Sequence, residues 1–140
     1  MNGETPANAA ETGSAAARLA ARTRKFRQAA FVYLHVGLLY EFVVFILWRD
    51  GLLPETRGSG PLWLGIGAAI TAFVFWGLWR WRNPHFAKAI WLLHALRLPA
   101  LIRGAFFSDA SAILPANLYL IAIPVVLVNL WMLARAGWDL

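Results

Sequence analysis

A few ionisable side chains lie inside the long apolar stretches of this 140-residue chain, where each one needs a chemical explanation. Glu41 is the clearest case. It stands about 13 residues into the apolar stretch 29–48, which places it ~20 Å from the start of a helix built from that stretch. A carboxylate facing lipid at that depth would be untenable, so we expect Glu41 to be protonated, paired, or turned toward water or protein.

Arg97 is the natural partner of Glu41. Measured from Lys88, it lies ~14 Å into a later stretch that would cross a membrane in the same direction, so the ~6 Å difference in depth is within reach of two long side chains. We favour an ion pair that fixes the register of two helices. The alternative is a proton or ion pathway, in which His94 and Asn129 supply further polar groups.

Two histidines at matched depth suggest a second chemistry. His35 and His94 each lie ~10 Å into their apolar stretches. Such a pair can ligate a haem b, and one histidine alone can ligate the magnesium of a bacteriochlorophyll. The simpler interpretation is that each ring binds a carbonyl group of a neighbouring helix. We therefore expect no cofactor, and a bound tetrapyrrole is the alternative.

The patterns typical of enzymes and metal centres do not accompany these residues. The chain has no cysteine, which excludes disulfides, thiolate zinc sites, iron–sulfur clusters and cysteine nucleophiles. No histidine is placed to complete a triad with Ser108, Asp109 or Ser111. Paired carboxylates, a phosphate-binding glycine loop and the HExxH pattern do not occur either. We predict a protein that is not an enzyme and binds no metal.

The elements that position these residues are expected to be membrane-spanning helices. The sequence is 60% hydrophobic and 14% charged, whereas about a quarter of the residues in a typical soluble domain are charged. Because ~20 helical residues cross a hydrocarbon core of ~30 Å, the pattern predicts an all-α, polytopic membrane protein. Four spans are expected, at about 29–48, 62–79, 86–107 and 116–135.

The third span is the least regular of the four. It contains Lys88, Pro99 and Arg103 besides His94 and Arg97, so the rival interpretation is an amphipathic helix lying in the interface of a three-span protein. The tryptophans favour four spans, because they collect at both expected interfaces as an aromatic belt. Since Pro99 has no backbone N–H to donate, we expect a broken backbone hydrogen bond beside His94 and Arg97.

Residues 1–28 form a predicted arm that precedes the membrane domain 29–140. The arm is expected to be flexible up to about residue 17, and a helix capped by Ser14 is expected to lead into the first span. The net charge of +6 follows chiefly from the positive-inside rule, which predicts cytoplasmic termini in a bacterial inner membrane. We expect the arm to bind anionic lipid or an acidic partner surface, and not nucleic acid, through Arg18, Arg22, Arg24, Lys25 and Arg27.

Small residues in the second span predict close packing against another helix. They recur at four-residue spacing, which lets the backbones of two membrane helices approach each other closely. Gly104 would permit a similarly close approach of a helix to the third span. The positions in the second span are Gly65, Gly67, Ala68, Ala69, Thr71 and Ala72. The partner helix is expected either within the bundle or in another protein.

These observations predict a non-catalytic accessory or assembly subunit of a larger membrane complex. Little of the chain lies outside the membrane to do chemistry, and both the second span and the basic arm offer contact surfaces. The partners would be other membrane subunits or a second copy of the chain. The alternatives are a small proton-linked transporter that uses Glu41, His94 and Arg97, and a tetrapyrrole-binding subunit.

Overall fold

The computed structural model describes residues 6–52, 60–107 and 116–140, and within these ranges the chain forms helices and no strand. The helices follow the order α1 (Pro6–Arg49), α2 (Gly60–Arg80), α3 (Pro84–Ala95), α4 (Leu98–Phe106) and α5 (Ala116–Trp138). In the described ranges four stretches are long and apolar enough to cross a membrane, and α3 and α4 together make one of them. The protein is an all-α, four-helix membrane protein, as the sequence predicts.

The first helix begins earlier than the sequence predicts. The sequence predicts a helix capped by Ser14, whereas α1 starts at Pro6 and continues without interruption into the first span. Alanine has the highest helix propensity and proline suits the first turn of a helix, which explains the earlier start. The 44 residues of α1 extend ~66 Å, so about half of the helix projects beyond a ~30 Å hydrocarbon core.

Helices α1 and α2 form an antiparallel pair that depends on two glycines. A Cβ atom added at Gly37 would overlap the Thr71 side chain, and one added at Gly67 would overlap the carboxyl group of Glu41. Glu41 lies one turn after Gly37 in α1, and Gly67 lies one turn before Thr71 in α2. The two contacts therefore belong to one continuous interface, which we call the seam between α1 and α2. In it a polar side chain of each helix packs against a glycine of the other.

The third span is interrupted near its middle. At its start, the side chain of Asn83 caps α3 by accepting a hydrogen bond from the backbone N–H of His85 at 2.8 Å. Arg97 directly precedes α4, and Pro99 occupies the first turn of that helix. The backbone break predicted from Pro99 is thus present, and it divides the span into a 12-residue and a 9-residue helix.

The buried core lies toward the ends of α2 and α5. Phe26, Leu78 and Leu133 are fully buried there, on α1, α2 and α5 respectively. The C-terminus is tied to this end, because the Lys25 ammonium donates a hydrogen bond to Asp139 at 2.8 Å. That bond lowers the pKa of Asp139. The middle of the bundle is packed less tightly, and a cleft opens there.

Candidate functional site

A cleft of about 140 Å³ lies between α1, α2, α5 and the interrupted third span. Its volume is close to that of cavities that hold a benzene-sized molecule in other proteins. Unlike those cavities it has several polar side chains in an otherwise apolar lining, and we call it the polar cleft. The polar residues that line it are Tyr33, Tyr40, Glu41, Thr71, His94, Arg97 and Asn129.

The floor of the polar cleft carries an amide group with no partner. Asn129 is 0% exposed, and neither its Nδ2 nor its Oδ1 atom has a hydrogen-bond partner in the described part of the chain. A buried polar group without a partner costs about 1–3 kcal/mol, so such groups call for an explanation. Thr71, also buried, lies beside the cleft on α2. The floor therefore holds an amide whose donor and acceptor are both unused within the described part of the chain.

The rim of the polar cleft carries charges of both signs. Glu41 is half-buried on α1, with its carboxyl group against the backbone of Gly67, and Arg97 is exposed at the start of α4. Tyr40 is 58% exposed and marks the open side of the cleft. The cleft is thus open toward the surroundings of the bundle, with an acidic and a basic group at its mouth.

Glu41 and Arg97 share the cleft but do not form the ion pair that the sequence predicts. Neither side chain makes an ion pair or hydrogen bond with another described residue. The reason is the packing order: α1 packs mainly on α2 and α5, whereas α3 and α4 pack mainly on α5. Both charged side chains line a cavity to which α5 contributes Val126 and Asn129.

His94 lines the cleft, and one of its ring nitrogens is bonded within its own helix. Its Nδ1 atom lies 3.0 Å from the carbonyl oxygen of Ile90, which can only accept a hydrogen bond, so Nδ1 is the donor. The ring also packs edge-on against Tyr33, with 5.2 Å between the ring centroids. The hydrogen bond and the aromatic contact together fix the position of the His94 ring at the cleft.

His35 lies outside the polar cleft. It is exposed, and its Nδ1 atom donates a hydrogen bond to the carbonyl oxygen of Phe31 at 2.7 Å. Both histidines thus bond to carbonyl groups, but of their own helices, whereas the sequence suggested a neighbouring helix. His35 does not line the cleft that His94 lines. Ligation of a tetrapyrrole by both histidines or by one of them stays a prediction, for which a Soret band in the purified protein is the readout.

The small residues of α2 divide between two faces. Gly67 and Thr71 face α1, whereas a Cβ atom added at Gly65 would meet no atom within 4 Å. Ala68, Ala69 and Ala72 are exposed on the same outward side as Gly65. We call these four residues the outward face of α2. Gly104 is used within the bundle, because a Cβ atom there would meet the ring of Tyr119 on α5 at 2.8 Å.

The basic residues of the arm also divide into two groups. Lys25 forms an ion pair with Asp139, Arg27 lies 5.0 Å above the ring of Trp79, and Arg22 lies 6.0 Å from the ring of Phe26. Arg18 and Arg24 are exposed on the projecting part of α1. The arm is therefore anchored to the bundle at its base and presents charge beyond it.

Sequence reasoning missed the hydroxyl groups of the cleft. Tyr33 and Tyr40 were not singled out, and Thr71 was regarded only as a small packing residue. A periodicity signal was available, since Tyr33, Gly37, Tyr40 and Glu41 recur at three- and four-residue spacing on one face of a helix. Only the packing of α2 and α5 against that face brings Thr71 and Asn129 to it.

Comparison of the chain with protein families, with curated proteins and with solved structures gives no match. Two features of this molecule bear on its function, the outward face of α2 and the polar cleft. Groups of three or more metal-ligating side chains do not occur in residues 6–52, 60–107 and 116–140. The chemistry offered by the cleft is hydrogen bonding and charge.

Proposed function

We propose that the protein is a non-catalytic accessory or assembly subunit of a larger membrane complex. The observation that carries the proposal is the outward face of α2, where four small residues stand open in the middle of a membrane span. Small residues let another helix approach closely, and van der Waals packing is the main source of helix association in lipid. The partner would be a transmembrane helix of another subunit.

The projecting part of α1 supplies a second contact surface. It extends well beyond the membrane and carries Arg18 and Arg24 on exposed positions. Each basic residue near an anionic leaflet contributes about 1 kcal/mol of attraction, so this segment suits anionic lipid or an acidic surface of the partner. The charge bias around the spans favours a bacterial inner membrane with both termini in the cytoplasm.

Bulky substitutions on the outward face of α2 test the docking function. Ala69→Phe and Ala72→Phe are expected to weaken the association at least tenfold, because a phenyl ring prevents close approach of a second helix. After gentle solubilisation, native mass measurement should find the wild-type chain in a particle heavier than two copies of the 15.6 kDa chain, and these variants as free chains.

Ala89→Phe is the matched control, since Ala89 is an exposed alanine on α3, away from this face. It should leave the particle intact. A wild-type protein that runs as a lone chain, or a control that dissociates as readily as the two variants, contradicts the docking function.

A second candidate function, a small proton-linked carrier, is favoured by the polar cleft. The three residues named for this function from sequence, Glu41, His94 and Arg97, all line it. The interruption between α3 and α4 lies beside them, and discontinuous helices near the middle of the membrane are a common basis of transporter sites. In this function Glu41 would carry the coupled proton.

Glu41→Gln is expected to abolish proton-coupled flux without loss of expression, because glutamine keeps the shape of the side chain and cannot exchange a proton. The measurement uses vesicles that contain the purified protein and a trapped pH indicator, exposed to a deproteinised cell extract of small solutes. His35→Gln, which removes a titratable group of α1 outside the cleft, should keep wild-type flux. Equal flux in wild type and Glu41→Gln would exclude the carrier function.

A further inference from the structure

The polar cleft contains two opposite charges that do not neutralise each other. Glu41 is contributed by α1 and Arg97 by the residue that precedes α4, and no ion pair joins them in the described part of the chain. Unpaired charges within the membrane are costly and in known proteins mark binding sites and ion paths. A ligand that reaches both groups at once must offer each of them its opposite charge.

The amide of Asn129 adds an independent requirement. It is 0% exposed, lines the cleft, and has no partner for either its Nδ2 or its Oδ1 atom in the described ranges. A side-chain amide donates through Nδ2 and accepts through Oδ1. An occupant that reaches this amide must therefore bring both an acceptor and a donor, which an apolar molecule cannot do.

The start of α4 favours a negative group at the Arg97 side. No side chain caps this N-terminus, and Arg97 occupies the capping position itself. Helix N-termini carry a partial positive charge, which favours a carboxylate nearby. Arg97 adds a full charge and a planar fork of donors that matches a carboxylate. The acidic part of a ligand is therefore expected here, and its basic part near Glu41.

Simpler ligands fit these groups less well. A lone cation would be attracted by Glu41 but repelled by Arg97. A lone anion would be attracted by Arg97 but repelled by Glu41. The volume of about 140 Å³ limits the ligand to a few non-hydrogen atoms. A molecule with a carboxylate and an ammonium group one or two carbon atoms apart supplies both charges, an acceptor and a donor within that volume.

We propose that the polar cleft binds a small zwitterion, with its carboxylate at Arg97 and Asn129 Nδ2 and its ammonium group at Glu41 and Asn129 Oδ1. This inference deepens the proposed carrier function, because both use the polar cleft. It does not depend on docking through α2. It names the chemical class of the substrate that such a carrier would move.

Binding of three small zwitterions to the purified full-length protein tests the proposal. Glycine, L-alanine and β-alanine are the probes, and equilibrium binding of the radiolabelled compounds in detergent is the measurement. At least one probe should bind saturably, and the separated charges, acetate and methylammonium, should not compete at the same concentration. Absence of saturable binding for all three probes, or equal competition by acetate, overturns the proposal.

Variants place the binding at the cleft. Arg97→Gln and Asn129→Leu are expected to weaken binding at least tenfold, whereas Arg49→Gln should leave it unchanged, because Arg49 lies at the end of α1 and does not line the cleft. Unchanged affinity in a folded Arg97→Gln variant contradicts the site. If zwitterions bind but no proton flux is measured, the carrier function is rejected and this inference stands. If the extract drives proton flux but no zwitterion binds, this inference is rejected and the carrier function stands.

Discussion

Replacing Gly37 with alanine is expected to lower the free energy of unfolding by about 1–3 kcal/mol relative to the same substitution at Gly65. A Cβ atom at Gly37 would overlap the Thr71 side chain, and it would also lie 2.7 Å from Oγ1 and 3.1 Å from Cβ of that residue. Because both branches of the Thr71 side chain, Cγ2 and Oγ1, lie in this overlap, α1 and α2 would have to separate.

The comparison with Gly65→Ala isolates the packing effect. Both substitutions replace a helical glycine, so the gain in helix propensity of about 1 kcal/mol is shared, and at Gly65 the added atom meets nothing within 4 Å. Unfolding by SDS in mild detergent, followed by tryptophan fluorescence, gives both values. The double variant Gly37→Ala/Thr71→Ala should recover most of the loss, since it removes Oγ1 and Cγ2. Equal stability of the two glycine variants would show that the seam between α1 and α2 is wrongly placed.

Replacing Asn129 with leucine is expected to stabilise the ligand-free protein by about 1–3 kcal/mol, the cost of a buried polar group that has no partner. Leucine is similar in size to asparagine and leaves no unsatisfied atom at this fully buried position. The same variant should lose the ability to bind a zwitterion. A gain of stability together with a loss of binding is the signature of a residue kept for function.

The control for Asn129 is the same substitution at Asn117. That residue is exposed at the start of α5, where its side chain accepts a hydrogen bond from the backbone N–H of Leu118 at 3.0 Å. Asn117→Leu should therefore give no gain in the free energy of unfolding, measured as for the glycine variants. Replacement of a buried asparagine that is hydrogen-bonded lowers stability. The same loss in Asn129→Leu would show that the amide has a partner, and it would contradict an unsatisfied amide on the floor of the cleft.

The membrane spans could be predicted from sequence because hydrophobic length is a local property. The four crossings require only runs of about 20 apolar residues, and the interruption of the third requires only the missing N–H of Pro99. The early start of α1 was also within reach, since alanine-rich sequence favours a helix from Pro6 onward. The start of the helix was instead predicted at Ser14, because the residues before it lack large apolar side chains, a criterion that measures tertiary packing and not helix propensity.

The composition of the cleft could be predicted only in part. The scarcity of charge singled out Glu41, Arg97 and His94, and all three line the same cavity. Their relative placement depends on how α5 packs against the other helices, which no local pattern determines. The same depth argument therefore predicted an ion pair where the structure has a shared cavity. His35 was grouped with His94 by depth, although it lies on another face of its helix.

The central claim, that the outward face of α2 docks a helix of another membrane protein, is tested most directly by cross-linking in native membranes. A photoreactive phenylalanine analogue is placed at Ala69 or at Ala72, and at Ala89 as the control. We predict that the first two positions form a covalent adduct with a different protein and that the Ala89 position does not. Adduct formation no greater at Ala69 and Ala72 than at Ala89, or adducts only with a second copy of the chain, would contradict the claim.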